Sequence, residues 1–391
     1  MRPFFQSLAL AAALACAPTG GPAAPSAPAS EPDFAGLSLF LSEEAGFFPS
    51  DNLVSNETSY QHVLGKMDAM GVRGGAYVGV GPDQNFTYIA AIRPEIAYII
   101  DIRHDNLLHH LLFKAVFQVA RNRLEFVSML TGRPAHRDTR DNPGIEQIVA
   151  RIDTTPADSQ YFEGMATRIA DVILSWDMPV TDADLRVVRR IHEAFRRYGL
   201  NLRYAQVPRY PTWRDLILEK DLEGRRANYL ASDSAFRFVQ DLERRHRVVP
   251  VVGDVAGTHA LAAVGENIRM RGLTLTALYI SNVEQYLMRG GTFAPYASTL
   301  QALPWAEHGV IIRSYFGRGA SLPQSVYGHY STQLLERSTD FINQMQAGGY
   351  GSYIDLVTRN ALPLRTGGGG QGEAGIQRQF SGSTPAAAWL P

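Results

Sequence analysis

Two short apolar runs, one helix apart, constrain this chain more than any other feature. Residues 76–80 (AYVGV) lie between Gly74-Gly75 and Gly81-Pro82, and residues 97–100 (AYII) end at Asp101. Runs of this length, without polar alternation and bounded by turn residues, read as strands buried on both faces. Residues 85–92 between them read as a helix that Pro94 ends. Neighbouring strands joined through a helix are parallel, because a tight hairpin is the connection of antiparallel ones. The alternation resumes later, with strands at 248–252 and 273–280 around a helix at 258–270, then a strand at 309–312 and a helix at 332–345. The expectation is an α/β fold with a mostly parallel sheet covered by helices on both faces.

A mainly helical stretch separates the second strand from the third. Residues 106–130 form one long apolar helical pattern, and residues 181–198 a second, with Asp184 completing a capping-box-like start. Upstream, Ser55 or Asn56 can cap a helix carrying Tyr60, Val63, Leu64 and Met67 at helical spacing, with Gly71 as its stop. We therefore expect a sheet domain built from residues 33–104 and 246–365, interrupted by a helical insertion at 105–245. With 45% hydrophobic residues among 391, the chain can bury such a core. Its 37 Lys and Arg against 38 Asp and Glu give a net charge of -1, which removes a global electrostatic case for nucleic-acid binding. The single cysteine, Cys16, excludes disulfides within the chain and Cys-rich metal sites.

Residues 1–16 carry Arg2, an apolar run at 8–14 and small residues before Cys16, the layout of a secretion signal. Ala13-Leu14-Ala15-Cys16 resembles a lipobox, with Ala13 where such motifs usually carry leucine; cleavage after Ala15 without lipidation fits the same letters. The expectation is an exported protein, periplasmic or held to the outer membrane by a lipid on Cys16. Residues 17–32, rich in Pro and Ala, read as a linker, and residues 366–391, with four glycines at 367–370, as a disordered tail.

In a parallel sheet of this kind, ligands bind beyond the carboxyl ends of the strands. Gly79-Val80-Gly81 stands at such an end, and Asp101 follows Gly81 by 20 residues, the interval that a helix and a strand require. Dinucleotide binding would want a third glycine where Gln84 stands. The segments Tyr77-Val78-Gly79-Val80-Gly81-Pro82-Asp83-Gln84-Asn85 and Ile100-Asp101-Ile102-Arg103 instead resemble the first two motifs of class I S-adenosylmethionine-dependent methyltransferases. Residues 55–61, 77–103 and 105–117 look closer still to a family of uncharacterised bacterial proteins placed near those methyltransferases by fold. The resemblance implies a Rossmann-like sheet of the methyltransferase type and a nucleoside-like ligand, S-adenosylmethionine, held by Gly79, Gly81, Asp83, Asn85, Asp101 and Arg103. It further implies that Asp254, after Gly253, lies near the adenine and that Ser281-Asn282 points toward the methyl group. Two positions depart from the family pattern. Tyr77 replaces the acid that orients the ligand's amino-acid part, and Asp83 replaces the third glycine; Glu57 could substitute for the missing acid. If methyl transfer occurs, Asn282, Tyr286 or His109 would polarise the acceptor.

Plainer roles compete with these. Asp101 can pair with Arg103 or cap the next helix, and Asn85 can cap its own. Asp101, Asp105 and His109 recur at intervals of four, but the strand ending at Asp101 breaks the face they would share, so no metal site is expected there. Asp105 with His109 alone could make an acid–base pair of a cleft hydrolase. Tyr204, Tyr210, Trp213 and Tyr229 could wall a cleft or pack in the core. Arg186, Arg189, Arg190, Arg196 and Arg197 on the 181–198 helix read as a solvated face, with an anionic surface as the alternative. No nucleophile elbow, His-Glu-x-x-His or phosphate loop is present. The missing acid at Tyr77, and the absence of an obvious methyl donor outside the cytoplasm, keep a second expectation open: a non-catalytic envelope binding protein on the same fold, its partner unidentified.

Overall fold

The computed structural model describes residues 33–134, 142–317 and 322–365. The expected signal segment with Cys16, the linker and the tail lie outside the described residues. Among the described residues, no helix is long and apolar enough to cross a membrane.

Six strands form one sheet: β1 (Ala76–Val80), β2 (Ile96–Asp101), β3 (Val248–Val252), β4 (Leu275–Ser281), β5 (Trp305–Tyr315) and β6 (Thr332–Arg337). Their order is β3-β2-β1-β4-β5-β6, with β6 antiparallel to β5 and every other pair parallel. This is a Rossmann-like α/β fold. The chain winds outward from β1 through β2 to β3, then returns to the opposite edge of β1 with β4. The connections after β1 and β4 thus leave in opposite directions, opening a crevice at their carboxyl ends. β1 and β3 are buried along their whole length, which is why their sequences lack polar alternation.

Helices cover the sheet. Gln84–Ile92 follows β1, and His104–Val119 packs on β2, β3 and the helix Asp182–Tyr198. The first helix of the segment expected as an insertion therefore lies directly on the sheet. Asp182–Tyr198 starts as its sequence predicts: Thr181 Oγ1 accepts from the Asp184 N–H at 3.1 Å, and Asp184 accepts from the Thr181 N–H at 2.8 Å.

Three expectations need correction. The helix foreseen at 106–130 is two, His104–Val119 and Arg123–Thr131. Ala120 is extended, and Asn122 caps the second helix by accepting from the Glu125 N–H at 2.9 Å, so a local capping bond outcompetes continuation. The helix foreseen after Ser55 is confined to Leu64–Ala69, preceded by turns. The segment 332–345 is strand β6 followed by the helix Ser338–Gln346. β6 hides its period because it buries Gln333 and Glu336 as well as Leu334 and Leu335. Glu336 is buried because Arg313 of β5 bonds both to it and to Glu284, in the helix Val283–Gly290. That three-residue cluster ties the antiparallel edge to the rest of the sheet.

Candidate functional site

A cleft of about 670 Å³ opens at the carboxyl ends of β1 to β4, within the size range of small-molecule sites. Each of those strand ends contributes: Gly81 after β1, Asp101 and Arg103 at β2, Gly253 and Asp254 after β3, Ser281 and Asn282 at β4. Phe48, Tyr204, Tyr210, Tyr286, Phe316 and Tyr330 form aromatic walls. Tyr204, Tyr210 and Tyr330 meet edge to face, with centroids 5.3 and 5.4 Å apart, and Tyr286 meets Phe48 at 5.5 Å.

The turn after β1 is held from behind. Asn85 Nδ2 donates to the carbonyls of Val80, Gly81 and Pro82 at 2.9, 3.3 and 2.7 Å, while its Oδ1 accepts from the Tyr77 hydroxyl at 2.8 Å. His110 Nε2 lies 2.9 Å from the Gly81 carbonyl, and since a carbonyl only accepts, the proton sits on Nε2. Burial pushes the His110 pKa down to about 4, so the ring stays neutral at physiological pH. Gly81 has φ +80°, and a Cβ there would stand 3.5 Å from Asn52 Nδ2 and 3.6 Å from Gln84 Nε2, so a ligand can approach its backbone.

The two glycines do different work. A Cβ on Gly79 would fall 2.0 Å from Asn85 Oδ1 and 2.6 Å from the Tyr77 hydroxyl. Gly79 therefore makes room for the Asn85–Tyr77 bond and does not line the cleft, contrary to its expected ligand contact. Asn85 is likewise spent on the turn. Asp83 lies on the far side, accepting from Trp213 Nε1 at 2.8 Å and from the Tyr229 hydroxyl at 3.4 Å. Burial raises its pKa to about 6. Trp213 and Tyr229 are thus core residues around Asp83, whereas Tyr204 and Tyr210 do wall the cleft.

Glu57 faces the cleft at its β1–β4 side. Its Oε1 accepts from the Tyr279 hydroxyl at 2.7 Å and from Ser281 Oγ; Oε2 is buried and makes no hydrogen bond of normal geometry, the Ser314 hydroxyl and the Gln333 amide near the carboxyl being bonded to each other and to Tyr88. Burial raises the carboxyl pKa above its ordinary 4.5, opposed by the hydroxyls of Ser281 and Tyr279 and by the nearby polar groups of Ser314 and Gln333. Ser281 is a non-glycine residue at φ +53°, a backbone state seldom occupied without a reason, and here it presents its hydroxyl to Glu57. Gln84 Nε2 donates to the same Tyr279 hydroxyl at 2.9 Å, and Gln84 Oε1 is also buried without a partner. Glu57, Gln84 and Tyr279 together make a polar floor with unused acceptors.

Asp101 lines the cleft but is already engaged. Arg103 donates to its Oδ1 from Nε at 3.0 Å and from its backbone N–H at 2.9 Å, and to Oδ2 from NH2 at 2.9 Å. Arg103 NH1 also donates to the carbonyls of Ser50 and Asp51 at 2.7 and 2.9 Å, fastening the segment that carries Phe48. Asp254 accepts from the Ala256 N–H at 2.9 Å in a local turn. Asn282 and the half-exposed Tyr286 line the rim.

His109 is not at the cleft. One helical position from His110, it is turned into the interior beside Phe113 (4.4 Å) and Phe195 (5.8 Å), and burial holds its pKa well below the ordinary value. Asp105 bonds Arg190 at the surface, 2.7 Å away, so the acid–base pair proposed for a hydrolase is not assembled. Arg189 and Arg196 bond Glu163 and Glu193. Sequence reasoning missed Tyr279 and His110, which carry no motif of their own, and took Gln84 only as the residue in place of a glycine.

The chain belongs to the family described as Domain of unknown function (DUF7790), which it matches over residues 52–362. The DUF7790 match takes in β1 to β6 and every cleft residue except Phe47 and Phe48. No curated protein matches the chain.

Proposed function

We propose that the cleft binds a nucleoside carrying a cationic amino-acid arm, with S-adenosylmethionine as the leading candidate, and that the chain is a methyltransferase-like protein. The observation that carries this reading is the buried Glu57 carboxyl on the β1–β4 side of the cleft, whose Oε2 makes no hydrogen bond of normal geometry and which has no cationic partner among the described residues. A carboxylate oxygen kept from water without a donor is costly, and an ammonium group from a ligand would satisfy it. Glu57 thereby takes the part of the acid that Tyr77 displaces in the motif.

The residues present fit such a group in three further respects. The Gly81 backbone is open to close approach, the β2 and β3 ends offer Asp101 and Asp254 to hydroxyl and amine donors, and the volume suits a nucleoside with a side arm. S-adenosylmethionine would supply the transferable methyl group. The chain's own contribution would be positioning: Asn282 and Tyr286 at the rim orient an acceptor, and the aromatic walls exclude water from it.

One observation favours a second reading, binding without chemistry: His109, one of the three residues expected to polarise an acceptor, is packed in the interior and does not line the cleft. Both readings share the ligand and differ in turnover. Thermal denaturation with S-adenosylmethionine, S-adenosylhomocysteine, adenosine and methionine tests the shared part. The two complete ligands should raise the midpoint, and each half-ligand should do so less. Equal shifts with methionine and with buffer, alongside none from either complete ligand, would remove the proposal.

A further inference from the structure

A second cluster lies outside the cleft. His62 is in the turns before the helix Leu64–Ala69, Glu219 follows the helix Trp213–Leu218, and His329 is in the loop leading to β6. One nitrogen or oxygen from each lies within 4.8 Å of the other two. His329 Nε2 is 3.4 Å from Glu219 Oε1, and the His62 and His329 rings have centroids 4.6 Å apart, inclined by 62°.

The 3.4 Å between Glu219 and His329 is the spacing of two ligands on one ion, and the His62 donor, within 4.8 Å of both, can complete the set by a small side-chain adjustment. Zinc holds nitrogen and oxygen donors at about 2.0–2.2 Å in a tetrahedron, which sets neighbouring donors roughly 3.3–3.5 Å apart. A direct charge-assisted hydrogen bond between imidazolium and carboxylate would close to about 2.7–2.9 Å. The donor types suit a borderline-soft cation as well, two imidazoles and one carboxylate being a recurrent zinc set. His62 is buried and supplies the interior ligand of the three. Glu219 and His329 are partly exposed, so a water can reach the fourth position.

We propose that His62, Glu219 and His329 bind a zinc ion, with water completing the tetrahedron. The site would clip together segments that already touch. Tyr330 N–H donates to Thr58 Oγ1 at 3.1 Å, and the Ser59 and Ser331 hydroxyls are 2.9 Å apart. Those segments carry Tyr330 of the aromatic wall and Glu57 of the polar floor. Zinc would therefore brace two sides of the cleft without entering it.

The test uses the untagged full chain, stripped with a chelator and titrated with zinc sulfate in competition with a chromogenic chelator. The expected result is one zinc per chain, with affinity reduced at least about tenfold in each of Glu219→Gln, His329→Ala and His62→Gln, and unchanged in His308→Ala, an exposed histidine of β5 outside the cluster. Glu219 and His329 are partly exposed, so their variants should fold. Absence of stoichiometric zinc binding to the wild-type chain would overturn the proposal. So would equal affinity in wild type, Glu219→Gln and His329→Ala.

Discussion

Replacing Glu57 with Gln should stabilise the protein and weaken the ligand. In the fold, Glu57 is fully buried, its hydrogen-bond donors are the Tyr279 and Ser281 hydroxyls, and among the described residues no cationic side chain forms an ion pair with it. Gln keeps the Oε1 acceptor for Tyr279 and Ser281 and puts a neutral amide nitrogen in place of Oε2, so what it removes is a buried ionisable group. Burying an ionisable carboxyl without a cationic partner costs more than burying a neutral amide, by about 1–3 kcal/mol, so the variant should gain roughly that at pH 7. For a folded body of roughly 300 residues the midpoint should rise by roughly 2–5 °C. The gain has a definite pH sense. The folded carboxyl's pKa is raised above 4.5, so from about that pH upward the folded state holds a proton that the unfolded chain has released, and stability falls as pH rises. The advantage of Glu57→Gln should therefore disappear below about pH 4.5 and grow above it. Paired thermal scans of wild type and variant from pH 4 to pH 8 measure this directly. A variant less stable than wild type at pH 7 would refute the reasoning, because it would mean that Glu57 serves folding and is not held at a cost for a ligand.

Three further outcomes follow from the same structure. Asp83 has a pKa near 6 against an ordinary 3.8, so Asp83→Asn should gain up to about 3 kcal/mol on wild type as pH rises from 4 through 6, read from denaturant curves at each pH. Asn85→Ala frees the carbonyls of residues 80–82 and should cost about 1–3 kcal/mol in chemical denaturation, with hydrogen exchange at the β1 turn accelerated more than elsewhere. Arg313→Leu strands the buried carboxylates of Glu284 and Glu336 and should destabilise by about 3–5 kcal/mol, with the β6 edge opening first in limited proteolysis.

The strand ends were legible because each is written locally. A buried strand of five residues followed by glycine or an acid leaves few alternatives, and β1 and β3 fall on the expected residues. Asp101, Asp254 and Asn282 line one cleft for the same reason: parallel strands deliver their carboxyl ends to one side. What needed the third dimension was burial and pairing over long range. Glu57 meets Tyr279 across 222 residues, and nothing near either residue marks the meeting. Gly79 and Gly81 look alike in the sequence, yet one admits an asparagine and the other the cleft. His109 and His110 are adjacent, but helical rotation directs only His110 to the turn. β6 passed for helix because Arg313 repays the burial of Glu336, a partner the local sequence cannot reveal.

The central claim is that the unpartnered Glu57 oxygen belongs to a ligand's cation. Calorimetric titration of the chain with S-adenosylmethionine and S-adenosylhomocysteine, beside Glu57→Gln, tests it most directly. The account predicts one saturable site in wild type and at least about tenfold weaker binding in the variant, while the variant remains folded with a raised thermal midpoint. No heat and no thermal shift from folded wild-type protein, or equal affinity in the two chains, would contradict it.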